Sequence, residues 1–580
     1  MNTIKHNLLP NIKKQKKDLI VEVELYKYTN ELFMELGNQN VIERLKEVPQ
    51  LGPIKVKQKF SKSRYDYIIL QLYLHKIVKQ NIQNELEITY NNQINLSDFT
   101  EKTISIDKVD RPSIGDILQM LTIIYNIGHF YNTFTSSRAI IIYANENEEF
   151  KNKLINSSED DRFKEAVGEY IEDRNYQRLH LLNSLLVLEE CNQDLKSVKL
   201  AQEILYSYIG QNSLLKDDKM HYVFEIFKKV RDVSYMAYDL QISTTPLTID
   251  LCDKDSLIFI LRELLSFYND QRPTEILFKS IGKLLDDTIY NEDSNAICYY
   301  QITRKMVKNL NSNYDINDYK NLWLNKNSIL NKNYNKRRDY FEFPILKLTF
   351  DTNDKKNPQD LIMALEKTNH IRIGYYDRYS GEKTVLVSIK KNTQNKVRVA
   401  FRVLNKVISY LRSLEKIRSS DPRFLLVTKF FLFYLFSENN ITLKPTVDEE
   451  ICVICTRGKS NRINELEKIL KKNIGTDDER HEVEFLIECL KKNNKNDTSI
   501  AVPSSILVLE KNRKLCEFDG MIIYPNRVSN QIVLMESKNR KTKPSLAKNC
   551  LIDKLRKLNI PYDEDQIKTE NFDALMELSI

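Results

Sequence analysis

The chain has 580 residues, a net charge of +8, eight cysteines, and only 12 glycines and 14 prolines. That length exceeds what one hydrophobic core can organise and predicts about three or four domains, and the scarcity of glycine and proline beside long apolar-periodic stretches predicts a helix-rich protein. The charge is spread too thinly to declare a polyanionic partner by itself, while cysteines this scattered, with only Cys452 and Cys455 close together, exclude a dense secreted-type disulfide framework and point to a reducing cytoplasm.

The chain begins with a basic run at 13–17, followed by LIVEVELYKY, whose glutamates interrupt any signal-peptide core. Residues 1–310 read as mostly helical: YDYIILQLYLHKIVKQ, IGDILQMLTIIYNI, RLHLLNSLLVLEEC and YVFEIFKKVRDVSYMAYDL carry apolar residues at three- and four-residue spacing. An asparagine-rich stretch over 311–340 reads as a linker, partly docked through Trp323. Residues 341–446 read as a mixed α/β connector or nucleic-acid-binding region. There TVLVSI and KVRVAFRVL suggest strands and VLNKVISYLRSLEKI a helix. The most apolar stretch, FLLVTKFFLFYLF at 424–436, contains Lys429 and is too short to span a bilayer, so it reads as a buried helix and no membrane partner is expected.

The last block, 447–580, alternates the two kinds of element. ICVICTR reads as a strand with two buried thiols. NELEKILKKN and ERHEVEFLIECLKKN read as helices; SSILVLEK, EFDGMIIYP and QIVLMESKN as strands; SLAKNCLIDKLRKLNI as a helix from Ser545; DALMELSI as a final strand. The expected fold class is multidomain: a mostly α N-terminal region, an α/β middle region and a C-terminal α/β sandwich around a central mixed sheet.

Within that block one constellation carries chemistry. Asp519 precedes the short apolar strand MIIY, a turn-rich connection follows at 525–530, and the apolar strand QIVLM ends in Glu536-Ser537-Lys538. Side chains alternate along a strand, so Glu536 and Lys538 share a face, and pairing of the two strands brings Asp519 beside them. Two carboxylates and an ammonium group at one sheet edge suit phosphodiester hydrolysis: the oxygens hold a hard divalent cation, Mg²⁺ or Mn²⁺, and the lysine orients the attacking water and stabilises developing negative charge. From 511 to 560 twelve lysines and arginines stand against four acids, a surface for phosphates.

These residues resemble the PD-(D/E)XK nuclease superfamily, whose pattern is an acidic residue, a hairpin, an apolar strand and Glu-x-Lys. The resemblance implies a restriction-endonuclease-like fold and a metal-dependent endonuclease, with DNA ahead of RNA as substrate and a role in restriction or phage defence. It also implies a glutamate on the preceding helix, for which Glu484 is chosen and Glu488 is the alternative. Asp519, Glu536 and Glu484 would hold the metal and Lys538 would act on the water. Arg540, Lys541, Lys543 and, on the helix after the motif, Lys548 would contact nucleic acid. Cutting both strands of a duplex would call for a homodimer.

The N-terminal region resembles the HD-domain phosphohydrolases in SRYDYIIL, YNIGHFYNTF and SYMAYD. The metal-ligand positions of that family are occupied here by Tyr67 (after Arg64), Tyr125, Asn126 and Ser234, with His129 and Asp239 nearby, and His75 and His180 elsewhere on the helices. The resemblance therefore implies a fold without metal chemistry that binds a nucleotide, a nucleic acid or a protein. The rival readings are a nucleic-acid or nucleotide sensor carrying an inactive nuclease fold, and an HD-type nucleotide phosphohydrolase.

Overall fold

The computed structural model describes the chain apart from residues 1–2, 9–17, 53–61, 83–95, 103, 105–110, 216, 244, 266–272, 291–292, 314–318, 320–343, 352–353, 355–357, 378–381, 416, 446–451, 457, 472–475, 493–497, 526–530, 539–543, 571–572 and 580. The chain divides into two compact units, Met1–Arg338 and Asp339–Ile580. Most of the predicted linker, with Trp323, lies outside the described residues. Among the described residues no helix is long and apolar enough to cross a membrane.

Among its described residues the first unit is mostly helical, as its periodicity predicts, with a two-stranded antiparallel ribbon, Thr3–Asn7 against Ile20–Glu24. The helix Ile114–Ile127 is buried almost all round, and Arg64–Asn81, Leu179–Glu190, Lys196–Ile209 and Lys219–Ile242 pack against it. The Arg64–Asn81 helix starts on a reciprocal cap: Ser63 Oγ accepts from the Asp66 N–H, and the Asp66 carboxylate accepts from the Ser63 N–H at 2.8 Å. Gly128 ends the central helix where any Cβ would lie 2.0 Å from the His180 carbonyl oxygen, so close helix packing requires glycine there.

Among its described residues the second unit holds three sheets. The first is an antiparallel trio of β1 (Leu346–Phe350), β2 (Ile371–Asp377) and β3 (Lys383–Ile389) in the order β1-β3-β2, with helix α1 (Gln359–Glu366) between the first two strands. It is followed by α2 (Lys396–Leu411) and α3 (Pro422–Leu435), which pack on each other. The segment KVRVAFRVL is thus the start of a helix, not a strand. Its alternation is incidental, because the buried set Val399, Ala400, Val403, Leu404, Val407, Ile408 and Leu411 follows the helical period. The apolar stretch at 424–436 is the buried helix it was predicted to be, begun by Pro422 behind an Asp421 cap.

The chain continues through β4 (Asn440–Lys444), β5 (Ile454–Thr456), α4 (Lys459–Lys471), α5 (Asp477–Lys492), β6 (Ser499–Val502), β7 (Ser505–Glu510), β8 (Arg513–Phe518), β9 (Gly520–Tyr524), β10 (Gln531–Glu536), α6 (Pro544–Lys557), β11 (Ile567–Glu570) and β12 (Asp573–Ser579). β4 pairs with β7 in a small β8-β7-β4 sheet, and Phe436 stacks on Phe518 at 5.1 Å. Residues on both sides of the boundary expected at 447 therefore share one sheet and one unit.

The principal sheet has six strands in the order β11-β12-β10-β9-β6-β5. Every neighbouring pair is antiparallel, so the expected central mixed sheet is not what forms. The reason is β11, a strand the sequence reading missed. One crossover through α6 would return the chain parallel to β10, but the β11–β12 hairpin turns it round again. Val533 and Met535 of β10 join Ile522 and Tyr524 of β9 in a core with α4 and α5. Successive strand residues point to opposite faces, so Leu534 and Glu536 face the other side, where α6 packs. Helices cover both faces, as an α/β sandwich requires.

Candidate active site

The β9–β10 register pairs Gly520 with Met535, and one step further it sets Asp519 opposite Glu536, with the Asp519 N–H bonded to the Met535 carbonyl at 3.2 Å. The β10–β12 register pairs Glu536 with Ala574, which sets Asp573 opposite Ser537. Strand pairing alone thus gathers Asp519, Glu536, Ser537 and Asp573 at one end of the sheet, and Lys538 follows directly.

Glu536 is the most enclosed member, with 1 % of its side chain exposed. A buried carboxylate survives only with charge compensation. Here Lys538 Nζ lies 2.6 Å from Oε1, and Lys554 of α6 donates to Oε2. Partial burial works against the Lys538 ammonium. Its bond to Glu536 and the charges of Glu536 and Asp519 prevail and hold its pKa above the ordinary lysine value. Asp519 Oδ2 accepts the Ser537 N–H at 2.7 Å. Burial and then the charge of Glu536 raise the Asp519 carboxyl, against the pull of Lys554, the Ser537 N–H and Lys538.

On α5 the carboxylate that feels the charge of Asp519 is Glu482, beside the chosen Glu484 and the alternative Glu488. Burial pushes Glu482 up to about 8, and the charges of Asp519, Glu517, Glu479 and Asp478 add to it. Its Oε2 is buried without a hydrogen-bond partner. Glu484, two residues on and about 200° round the helix, keeps 43 % of its side chain exposed and sits 3.9 Å from Arg480, and Glu488 is exposed. Of the predicted phosphate contacts, Lys548 donates to the Glu564 carbonyl at 3.3 Å, whereas Arg540, Lys541 and Lys543 lie outside the described residues.

Sequence reasoning missed four members: Glu482, Lys554, Asp573 and His481. Two had a signal. Glu482 stands one turn before Phe485 and Leu486, on the buried flank of α5. Lys554 stands between Leu551 and Leu558 on the apolar stripe of α6. Asp573 and His481 join only through tertiary closure, His481 Nε2 donating to Asp573 Oδ1 at 3.2 Å.

Among the described residues no three His, Cys, Asp or Glu side chains form a group that could hold a metal ion, and both oxygens of Glu536 face ammonium groups. The donor chemistry nonetheless suits a hard divalent cation. Burial first, and neighbouring negative charge second, raise the proton affinity of the Asp519 and Glu482 carboxyls, a cost that a bound cation would relieve, and Glu482 offers an unused buried oxygen.

The family-like positions of the first unit are packed rather than poised. The Tyr67 hydroxyl donates to the Arg231 carbonyl at 3.2 Å and Arg231 donates to the Tyr125 hydroxyl at 2.8 Å. Asn126 and Ser234 bond to carbonyls of their own helices at 2.9 and 2.7 Å, and Asp239 accepts from Gln50 at 3.3 Å. His129 stacks on His180 at 4.1 Å, and burial pushes His75 and His180 down to about 3, so they stay neutral. Cys452 and Cys455 are buried free thiols.

No family model, no curated protein and no solved structure matches this chain, and its functional reading rests on the chemistry of the site.

Proposed function

We propose that the second unit is a metal-dependent nuclease that hydrolyses phosphodiester bonds, with DNA ahead of RNA as substrate. The observation that carries this reading is the convergence of Asp519 and Glu536 with the Lys538 and Lys554 ammonium groups at the end of β9 and β10, with the Glu482 carboxyl near enough to feel the charge of Asp519. A purely structural ion pair needs one acid and one base. This group buries a third carboxyl whose Oε2 bonds to nothing, a cost that function explains and stability does not.

Asp519, Glu536 and Glu482 would hold the cation, Mg²⁺ or Mn²⁺. When bound, such a cation supplies Lewis-acid polarisation of the phosphate and a more acidic water. Lys538 and Lys554, which now neutralise Glu536, are positive charges available to a phosphate at this sheet edge, and their ammonium groups would offset the charge that develops as the phosphodiester is attacked. Lys538, partly exposed at 29 %, is the one open to an incoming strand and to the attacking water.

A second reading, a nucleic-acid-binding protein with an inactive site, is favoured by one observation: both Glu536 oxygens are already taken by lysines. One assay separates the two. The full chain is incubated with plasmid, single-stranded DNA, RNA and deoxynucleoside triphosphates, in Mg²⁺ and in chelator. Strand cleavage confined to the Mg²⁺ arm is expected. Binding without cleavage in Mg²⁺ or Mn²⁺ supports the inactive reading, and triphosphate hydrolysis alone would move the chemistry to the first unit.

A further inference from the structure

At the end of β10 the backbone ladder stops but the chain does not go slack. The last pair is Glu536 with Ala574. Beyond it, the segment Ser537-Lys538 is held by two carboxylates from opposite sides. Asp519 Oδ2 takes the Ser537 N–H at 2.7 Å. Asp573, with 5 % of its side chain exposed, takes the Ser537 hydroxyl at 2.9 Å and the Lys538 N–H at 3.0 Å, both on Oδ1. The same Oδ1 accepts a third bond, from His481 Nε2 on α5 at 3.2 Å. With a carboxylate as its partner, that ring nitrogen carries a proton.

One oxygen atom therefore joins three segments: the start of β12, the exit of β10 and the first half of α5. The first contact fixes where Ser537 ends, the second fixes the direction in which Lys538 leaves the backbone, and the third fixes how α5 is rotated. His481 is the residue before Glu482, so the bond that anchors it also sets where Glu482 stands relative to Asp519.

We propose that Asp573 and His481 are positioning residues that hold Lys538 and Glu482 in register with Asp519 and Glu536. The inference rests on the hydrolytic reading above and extends it to two residues outside the proposed cation-holding set. Groups that orient the primary ligands without touching the reactants typically change metal affinity or rate by about 10–100-fold, and a misplacement of about 1 Å has a comparable cost.

The test uses the full chain and two probes: Mn²⁺ alone, followed by titration calorimetry, and plasmid cleavage as a function of Mg²⁺. Asp573→Ala should weaken Mn²⁺ binding and raise the half-maximal Mg²⁺ concentration by about tenfold or more. Asp573→Asn keeps the accepting Oδ1 and should recover most of both, a rescue that loss of packing alone would not give. Should Asp573→Ala fail to fold by circular dichroism, His481→Ala removes only the strut to α5 and should still raise the half-maximal Mg²⁺ concentration severalfold. Wild-type behaviour in Asp573→Ala, or, where that variant does not fold, in His481→Ala, overturns the inference alone, as does an Asn variant as impaired as the Ala variant. A wild-type chain that neither binds Mn²⁺ nor cleaves overturns the function reading and this inference with it.

Discussion

The two units each bury a polar cluster, and the clusters differ in kind. In the first, His129, His180, Tyr125, Tyr67 and Arg231 meet among helices. The tyrosines and the arginine bond to one another or to backbone, and burial holds the histidines neutral. In the second, Asp519, Glu536, Glu482, Lys538 and Lys554 meet at strand ends, with opposite charges in contact and two carboxyls whose proton affinity is raised. Desolvation perturbs both groups. It makes the first inert, because a neutral imidazole in an apolar core is at its minimum, and it raises the affinity of the second for a proton or a cation, because its carboxyls are buried beside other negative charge. A shifted pKa therefore points to chemistry only where opposed charges converge and an acceptor is left over.

The sharpest way to break this contrast is to remove the second cluster's ligands. Asp519→Asn should lower Mg²⁺-dependent cleavage by roughly 10²–10⁴-fold, the scale lost when a group acting directly on the reaction is removed, as read from initial rates on plasmid. Next in size, Glu482→Gln should lower cleavage by about tenfold or more while Glu484→Gln stays within about twofold. A larger loss in Glu484→Gln than in Glu482→Gln would return the role to Glu484.

Lys554→Ala should cost stability rather than only rate. It leaves the buried Glu536 with one ammonium partner, a loss of about 1.5–3 kcal/mol, read from denaturant unfolding and reduced in the Glu536→Gln background if the two residues act as a pair. The metal-free chain should also respond to pH. A carboxyl whose folded pKa is raised binds its proton more tightly in the folded state, so the stability contributed through Glu482 is full below the unfolded value near 4.5 and is lost as pH rises to about 8. Glu482→Gln should lessen the fall of the thermal midpoint over that window, leaving the part contributed by Asp519, which ends at about 6, and a midpoint that still falls with pH as in wild type would contradict the assignment. The smallest effect belongs to the first unit. His129→Gln and Tyr125→Phe should leave cleavage within about twofold, because those side chains serve packing.

Much of the second cluster was readable in the chain because strand physics is local. QIVLME has the apolar run of a buried strand, and period-two alternation puts Glu536 and Lys538 together. The helix contribution was harder. On α5 both Glu482 and Glu484 flank apolar residues, and the spacing of Glu484 to Ile487 and Leu490 was as good as that of Glu482 to Phe485 and Leu486. Only the rotation set by packing, and by the His481–Asp573 bond, decides between them. KVRVAFRVL misled for a related reason: the alternation of basic residues and valine in its first four residues satisfies a strand, and only the continuation to Leu411 reveals the helical face. The direction of β12 was illegible because β11 is a four-residue strand in a polar context, too short to carry a period.

The most direct test of the central claim is the initial rate of plasmid cleavage by the wild-type chain and by Lys538→Ala, in Mg²⁺ and in chelator. Metal-dependent cutting by the wild type that falls by about 10²-fold or more in the variant is the predicted result. Cutting that survives unchanged in Lys538→Ala would contradict the account.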